Sequence, residues 1–362
     1  MTEALAARRA SGAPVLDLTE SNPTRAGLVY PHEIVRAFDD ARMLSYEPSP
    51  AGMNDARDAV VAYYRDRGAS VTRDRILLTA STSEAYSYLF KLLCNPGDEV
   101  LVPRPSYPLF EFLAEMESVT VRQYALSYHG AWSIDMPEFG ERTRAVVLVN
   151  PNNPTGSYTK RDELAALTSR CAERGVALIS DEVFADYAFG EDAARVSTLA
   201  NVEECAAFCM SGLSKVVGLP QMKLGWIVAN RTAAMERLEW IADTYLSVST
   251  PVQCAAARLL ATGGDVRRKI RERTAQNLTL ARELLSGTAG SILAVEGGWY
   301  ITVQAPRVRS EEDWVLHLLQ AEGVLVQPGY FYDFATEAFL IVSLLTHPDT
   351  FGPGMRRLQK WL

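Results

Sequence analysis

A chain of 362 residues, of which 48% are hydrophobic and 22% are charged, has the composition of a soluble globular protein large enough for two hydrophobic cores. Its formal net charge of -8 and the absence of any lysine- and arginine-rich run argue against nucleic acid as a partner. The opening stretch lacks the apolar core of a signal peptide and no later stretch is apolar enough to span a membrane, so we expect a cytoplasmic protein.

Residues 1–44 are expected to form an N-terminal segment that belongs in part to a small domain. Within it, the stretch TESNPTRAGLVYP contains proline and glycine residues that favour turns over regular structure. We therefore predict an irregular segment that lies over the body of the protein.

Residues 75–230 alternate short apolar runs with amphipathic stretches, a pattern typical of βαβ units. The predicted strands are RILLT, DEVLVP, TVRQYAL, AVVLVN, VALIS, AFCMS and LGWIVA. The sequence thus predicts an α/β fold, with a large domain at residues 45–248 built on a mostly parallel central sheet flanked by helices. Long helical stretches followed by strand-like runs predict a smaller α+β domain at residues 249–362.

Ligands of open α/β sheets bind beyond the carboxyl ends of the strands, so the residues that follow each run are candidate site residues. Ser81, Thr82 and Ser83 follow RILLT and precede a helix. Hydroxyl groups and free N–H groups at a helix N-terminus can bind a phosphate, although one of these residues could serve only as the helix cap.

Two further strand ends carry an amide and a carboxylate. Asn152 and Asn153 follow AVVLVN between two prolines that fix the turn, although such residues are common in any turn. Asp181 follows VALIS, and a carboxylate buried at the end of this strand would need a cationic partner. Alternatively, Asp181 could be solvated in a loop, or the neighbouring Glu182 could be the solvated carboxylate instead.

The fourth strand end is SGLSKVVGLPQMKLGW, in which Lys215 precedes a Gly-Leu-Pro turn. A lysine at such a turn could be a surface charge, but a lysine in a dry cleft has a lowered pKa and can attack a carbonyl group. An anion site, an amide, a carboxylate and a reactive amine are the four groups that pyridoxal phosphate requires of a protein.

The chain also resembles the class I/II aminotransferases, members of the fold-type I group of pyridoxal phosphate enzymes. The resemblance rests on an ordered set of motifs through nearly the whole chain: YEPSPAG, TSEA, NPGDEVLVPRPSYP, VNPNNPTG, DEVFADY, SGLSKVVGLPQMKLGW and VQPGYFYDF. It implies a transaminase that moves an amino group between an amino acid and a 2-oxo acid.

The resemblance also implies a role for each matching residue. Lys215 is similar to the lysine that forms the aldimine with the cofactor, and Asp181 to the partner of its pyridinium nitrogen. The other implied cofactor contacts are the ring-hydroxyl donor Asn153, which also faces the substrate, the stacking ring of Tyr107, the phosphate-binding residues Ser81, Thr82, Ser83, Ser214 and Lys223, and Tyr46. Because the family's equivalent of Tyr46 reaches the partner's phosphate, the resemblance implies a homodimer with shared active sites.

Three positions depart from the family pattern. Lys223 replaces an arginine that clamps the phosphate, and Phe184 replaces a tyrosine that bonds the ring oxygen. Ile341 in FLIVS replaces the arginine that binds the substrate carboxylate. We expect Arg25 to replace that arginine, with Arg104 as a weaker candidate, and Trp299, Tyr330 and Tyr332 either to line the pocket or to pack in the core.

These departures leave alternatives to transamination open. A pyridoxal phosphate-dependent β-lyase, cyclase or decarboxylase would use the same scaffold, and a cofactor-binding regulator without catalysis is a further alternative. The five cysteines show no C-x-x-C motif and the four histidines lie far apart in sequence, so we expect buried thiols and surface histidines rather than a metal site.

Overall fold

Fourteen short strands and twelve helices are arranged along the chain in a computed structural model that describes residues 1–362. The strands are β1 (Leu16–Asp17), β2 (Ile76–Thr79), β3 (Glu99–Arg104), β4 (Thr120–Tyr128), β5 (Trp132–Ile134), β6 (Thr143–Val149), β7 (Ala177–Asp181), β8 (Ala207–Gly212), β9 (Gly225–Ala229), β10 (Ser291–Ile292), β11 (Tyr300–Gln304), β12 (Val324–Leu325), β13 (Gln327–Pro328) and β14 (Phe339–Ser343). The helices are α1 (Thr2–Ala10), α2 (Glu33–Arg36), α3 (Asn54–Asp66), α4 (Thr82–Leu93), α5 (Phe110–Met116), α6 (Arg161–Arg174), α7 (Leu213–Val216), α8 (Thr232–Tyr245), α9 (Thr250–Thr262), α10 (Gly264–Leu285), α11 (Glu311–His317) and α12 (Pro348–Gln359).

The central sheet has eight strands in the order β2-β9-β8-β7-β6-β3-β4-β5. Only β9 and β5 run antiparallel to their neighbours, and all other adjacent pairs are parallel. The predicted α/β fold with a mostly parallel sheet is therefore confirmed. All seven predicted strands are present in the central sheet, and only its edge strand β5, which has three residues, was not predicted.

The central sheet is buried on both faces because its apolar residues point alternately to two cores. Leu77, Ile179 and Phe208 belong to one core, while Leu78 and Leu178 belong to the other. Such continuous apolar strands are expected where helices cover both faces of a parallel sheet.

A second, small sheet is antiparallel, with the strand order β10-β11-β14-β13. One face of it, which includes Ile301, Val303, Leu340 and Val342, shares a core with residues of α10 and α12. The opposite face, which includes Tyr300 and Ile341, packs with residues of the central-sheet part of the molecule.

The N-terminal strap, defined as residues 18–30, connects the two sheets. The backbone N–H of Ser343 on β14 donates to Leu18 O, and the Ser343 hydroxyl donates to Glu20 O. Farther along, the Tyr30 hydroxyl donates to Gly218 O, 2.6 Å away, directly after α7. The predicted irregular segment therefore lies beside the loop that follows α7, the short helix that carries Lys215.

Two other features of the chain ends were not predicted. The nine residues of α1 form a helix, and β1 pairs in parallel with β12, which attaches the N-terminal segment to the C-terminal part of the chain.

Helix α9 packs against α3, across the expected boundary at residue 248. The division into domains at residues 44 and 248 stays a prediction. No helix is long and apolar enough to cross a bilayer.

Candidate active site

The four predicted strand ends meet at one edge of the central sheet. Asp181 at the end of β7 pairs with Val149 on β6 and with Met210 on β8. Gly225 on β9 lies between Gly212, at the end of β8, and Thr79, at the end of β2. The residues that follow these strands are therefore neighbours in space, as expected for parallel strands.

Lys215 lies on α7, which begins immediately after β8. Its Nζ atom lies 5.0 Å from the ring centre of Trp299 and 5.8 Å from that of Phe184, and it makes no hydrogen bond to the protein. Burial lowers the pKa of this amine to about 8, although the negative charge of Asp181 acts in the opposite direction. The amine therefore exists partly in its neutral, nucleophilic form near neutral pH.

Asp181 is held by two hydrogen bonds. The Tyr86 hydroxyl donates to Oδ2 at 3.2 Å, and the backbone N–H of Val183 donates to Oδ1 at 3.2 Å. Burial nevertheless raises the pKa of this carboxyl group to about 6, because these donors and Lys215 offset only part of the desolvation. A cation placed against Asp181 would restore its ionised form.

The adjacent Glu182 points away from this edge and is fully buried. Its Oε1 accepts hydrogen bonds from the backbone N–H of Leu199 at 2.8 Å and from the Ser180 hydroxyl at 3.1 Å. The possibility that Glu182 is the solvated carboxylate is thus wrong, because this side chain anchors the loop that precedes β8.

The two asparagines of the proline-flanked turn differ in their hydrogen bonding. Asn152 accepts from the Ser106 hydroxyl and donates to Pro105 O and Thr155 Oγ1, so its amide is fully engaged. Asn153 is also buried, but its Oδ1 has no partner. A buried amide oxygen without a partner is costly, which identifies Asn153 as the one available to a ligand.

The predicted anion site lies at the N-terminus of α4. Ser81 is the cap residue, since its hydroxyl accepts from the Glu84 N–H at 3.2 Å, and the helix begins at Thr82. The first N–H groups of a helix have no carbonyl partner within it. A Cβ atom at Gly225 would lie 3.1 Å from the carbonyl carbon of Ser81, so the missing side chain lets β9 pack closely against this corner.

The remaining phosphate candidates surround the same corner. Ser214 is partly buried on α7, and Ser83 is exposed in the first turn of α4. Lys223 is exposed, forms no ion pair and adopts a left-handed backbone conformation with φ 50°. Its charge is therefore available to an anion.

Three more predicted residues are exposed. Tyr107 is 45% exposed. Tyr46, on the loop that precedes α3, is 74% exposed. Arg25 is exposed on the N-terminal strap, and no hydrogen bond or ion pair engages its guanidinium group. The Nε of Arg104 instead donates to Asp333 O at 2.7 Å, so this second arginine has a structural contact already.

Ile341 lies on β14 and is buried among the aromatic residues around Lys215. It belongs to the same apolar cluster as Phe184, Trp299, Tyr300 and Tyr332. Phe184 makes an edge-to-face contact with Trp299, with ring centres 5.2 Å apart. Trp299 and Tyr332 are thus core residues that border the site, whereas Tyr330 is 47% exposed.

Tyr86 was missed by the sequence analysis. It occurs within the apolar stripe of a predicted helix, and no sequence signal distinguishes its hydroxyl group from that of any other core tyrosine. Only the packing of α4 against β7 brings this hydroxyl to Asp181.

A sequence profile of the aminotransferase class I and II family matches residues 13–350. The chain belongs to this family. It is 27% identical over 97% of its length to the glutamate-pyruvate aminotransferase AlaA of Haemophilus influenzae, of which 91% is covered. It is 30% identical to human tyrosine aminotransferase over 59% of its own length and 49% of that protein. The alanine aminotransferase of Pyrococcus furiosus has the same fold, with a TM-score of 0.89, 23% identity and coverage of 99% and 95% of the two chains.

Family membership and the named relatives show that the chain is an aminotransferase, which confirms the predicted activity. They do not support the lyase, cyclase, decarboxylase or regulator alternatives. Class I/II aminotransferases use pyridoxal phosphate, and they act on amino acids and 2-oxo acids.

Proposed function

We propose that this aminotransferase binds pyridoxal 5'-phosphate through Lys215 and transfers amino groups between an amino acid and a 2-oxo acid. The observation that carries the proposal is the Lys215 amine, which has a lowered pKa and no hydrogen-bond partner and lies beside the aromatic rings of Trp299 and Phe184. Its position after β8 places it at the same sheet edge as Asp181.

The residues at this edge fit the cofactor. The side chain of Asn153 makes no hydrogen bond within the protein, so its Nδ2 is free to donate to the ring hydroxyl, and Asp181 has an unpaired negative charge for a protonated ring nitrogen. The free N–H groups at the start of α4 suit a phosphate. Its contacts would come from Ser81, Thr82, Ser83, Ser214 and Lys223, with Tyr107 and Phe184 against the ring.

When bound, pyridoxal phosphate supplies an electron sink for the negative charge that forms at the substrate α-carbon. Lys215 accepts the proton from that carbon at Nζ and then releases it. With a pKa of about 8, roughly a quarter of the amine is neutral at pH 7.5, compared with about 0.1% of an ordinary lysine. The rings of Trp299 and Phe184 lie beside the amine and give it apolar surroundings.

Substrate binding requires a cation, because Ile341 cannot pair with a carboxylate. We propose that Arg25 provides it, since the strap lies over the loop after Lys215 and leaves this guanidinium group free. The names of the relatives make glutamate with pyruvate, and alanine with 2-oxoglutarate, the first substrate pairs to test.

We further propose a homodimer in which Tyr46 of each chain reaches the phosphate site of the other. The support is its 74% exposure together with that of its neighbour Leu44, which is 87% exposed. The cytoplasmic location stays a prediction.

Borohydride reduction followed by peptide mapping tests the proposal. The wild-type enzyme should retain reduced cofactor on the peptide that contains Lys215, whereas Lys215→Ala should carry no covalent label and lose transamination. Lys223→Ala is the matched control and should keep the label on Lys215 while binding the cofactor more weakly. A label on another lysine, or unchanged labelling of Lys215→Ala, would contradict the assignment.

A further inference from the structure

A polar row crosses the small sheet at the position of Ile341. In the strand register, Ile341 on β14 pairs with Thr302 on β11 at one side and with Gln327 on β13 at the other. Directly paired residues of antiparallel strands project from the same face. Thr302, Ile341 and Gln327 therefore share the face that is opposite the core beneath α10 and α12.

Thr302 contributes a hydroxyl group without a partner. Its side chain is only 2% exposed, and Oγ1 has no hydrogen bond within the protein. Polar atoms in such positions are almost always satisfied, so an unpartnered hydroxyl on this face indicates a missing ligand or water.

Gln327 contributes an amide that is fixed in orientation. The Tyr332 hydroxyl donates to Gln327 Oε1 at 2.5 Å. Burial raises the pKa of Tyr332, so this hydroxyl stays protonated and remains a donor. With its oxygen engaged, Gln327 presents Nε2 as a hydrogen-bond donor.

The row belongs to the candidate active site. Tyr300 lies two residues before Thr302 on β11 and so projects from the same face, and its ring centre is 6.3 Å from that of Phe184, which lies beside Lys215. The backbone carbonyl of Tyr332 also accepts from the Ser106 N–H at 3.0 Å, next to Tyr107. The small sheet thus reaches the cofactor side of the cleft at this point.

We propose that Gln327 and Thr302 form a neutral binding site for the substrate carboxylate, in place of an arginine at position 341. The inference rests on the proposed function and extends it to the small sheet. Gln327 Nε2 and Thr302 Oγ1 donate hydrogen bonds to carboxylate oxygens, while Arg25 of the N-terminal strap supplies the charge. Neutral donors fix direction but bind a carboxylate less strongly than a guanidinium group does.

Steady-state kinetics with alanine as donor and 2-oxoglutarate, the 2-oxo acid of glutamate, as acceptor test the inference first. Gln327→Leu should raise KM for alanine about tenfold and leave kcat within about twofold, and Thr302→Val should raise KM about threefold. Gln304→Leu is the matched control, because Gln304 lies on the same face of β11 opposite Phe339 and outside the row. It should leave both constants unchanged.

A binding measurement separates this inference from the cofactor proposal. Propionate, which has a carboxylate but no amino group, is titrated into each cofactor-loaded enzyme and followed by ligand NMR, with propionamide as the neutral comparison. Gln327→Leu should weaken propionate binding about tenfold, affect propionamide less and leave cofactor affinity unchanged. Adding Ile341→Arg to that variant should restore propionate binding.

The inference would be overturned if Gln327→Leu, folded with a wild-type melting temperature, bound propionate and alanine as the wild-type enzyme does. It would also be overturned if Gln304→Leu caused the same loss. Failure of the cofactor proposal has a different signature, namely loss of the Lys215 label in the wild-type enzyme.

Discussion

The two sides of the cleft differ in how their chemistry is specified. On the central-sheet side, each candidate residue follows its own strand, and charged or ionisable groups dominate: Lys215, Asp181 and Lys223. On the small-sheet side, Thr302, Ile341 and Gln327 are all uncharged. Family membership therefore predicts the binding residues on the cofactor side of the cleft more fully than those on the substrate side.

The contrast has a physical basis. Cofactor chemistry requires a reactive amine, an anion for the ring nitrogen and a phosphate site, and the central-sheet side keeps all three although Lys223 and Phe184 depart from the family pattern. Substrate recognition requires only enough hydrogen-bond donors for a carboxylate. Arginine, glutamine and threonine can supply these donors in different combinations. Variants on each side should consequently affect different kinetic constants.

The largest effect is expected on the central-sheet side, from Asp181→Asn. Removing the negative charge at the end of β7 should lower kcat by about 100-fold or more while changing KM much less, because the charge acts on the reacting system in the transition state. Steady-state kinetics at saturating cofactor provide the measurement.

Asp186→Asn is a matched control for this prediction. Asp186 is also largely buried, but it accepts a hydrogen bond from Tyr63 and pairs with Arg267 rather than facing Lys215. We expect this variant to lose stability and keep its kcat. Equal losses of kcat in the two variants would show that Asp181 has no special role in catalysis.

The second prediction concerns the substrate side. Arg25→Ala should raise KM for alanine by about 10- to 30-fold with little change in cofactor affinity, since hydrogen bonds to charged groups contribute about 1.5–3 kcal/mol. Arg104→Ala should have a smaller effect, because that guanidinium group already donates to Asp333 O. A larger increase in KM from Arg104→Ala than from Arg25→Ala would assign carboxylate binding to Arg104 instead.

A residue's place in the fold could be predicted from the sequence where it follows from local order along the chain. Lys215, Asp181 and Asn153 follow β8, β7 and β6, and parallel strand ends necessarily meet at one edge. Tyr86 could not be predicted, because its contact with Asp181 depends on how α4 packs. Gln327 was equally hidden, since only the register of β13 against β14 places it beside Ile341.

The smallest expected effect concerns the pH dependence of stability in the cofactor-free protein. Asp181 has a pKa of about 6 in the folded state and about 4 when unfolded. Between these values the folded state holds a proton that the unfolded state has lost, so ionisation is penalised and stability falls as pH rises from about 4 to 6. Lys215 adds no change in this range, because its folded pKa of about 8 lies above it.

Relative to the wild type, cofactor-free Asp181→Asn should therefore gain about 1–2 kcal/mol in the free energy of unfolding at pH 7, and the gain should vanish near pH 4. Urea unfolding across this range measures it. Tyr86→Phe removes a donor to Asp181, so its transition should shift to higher pH, whereas Tyr88→Phe on the same helix should leave the transition in place. A gain that is constant from pH 4 to 7 would show that the carboxyl group of Asp181 is not destabilised by burial, and the difference in electrostatics between the two sides of the cleft would then need another origin.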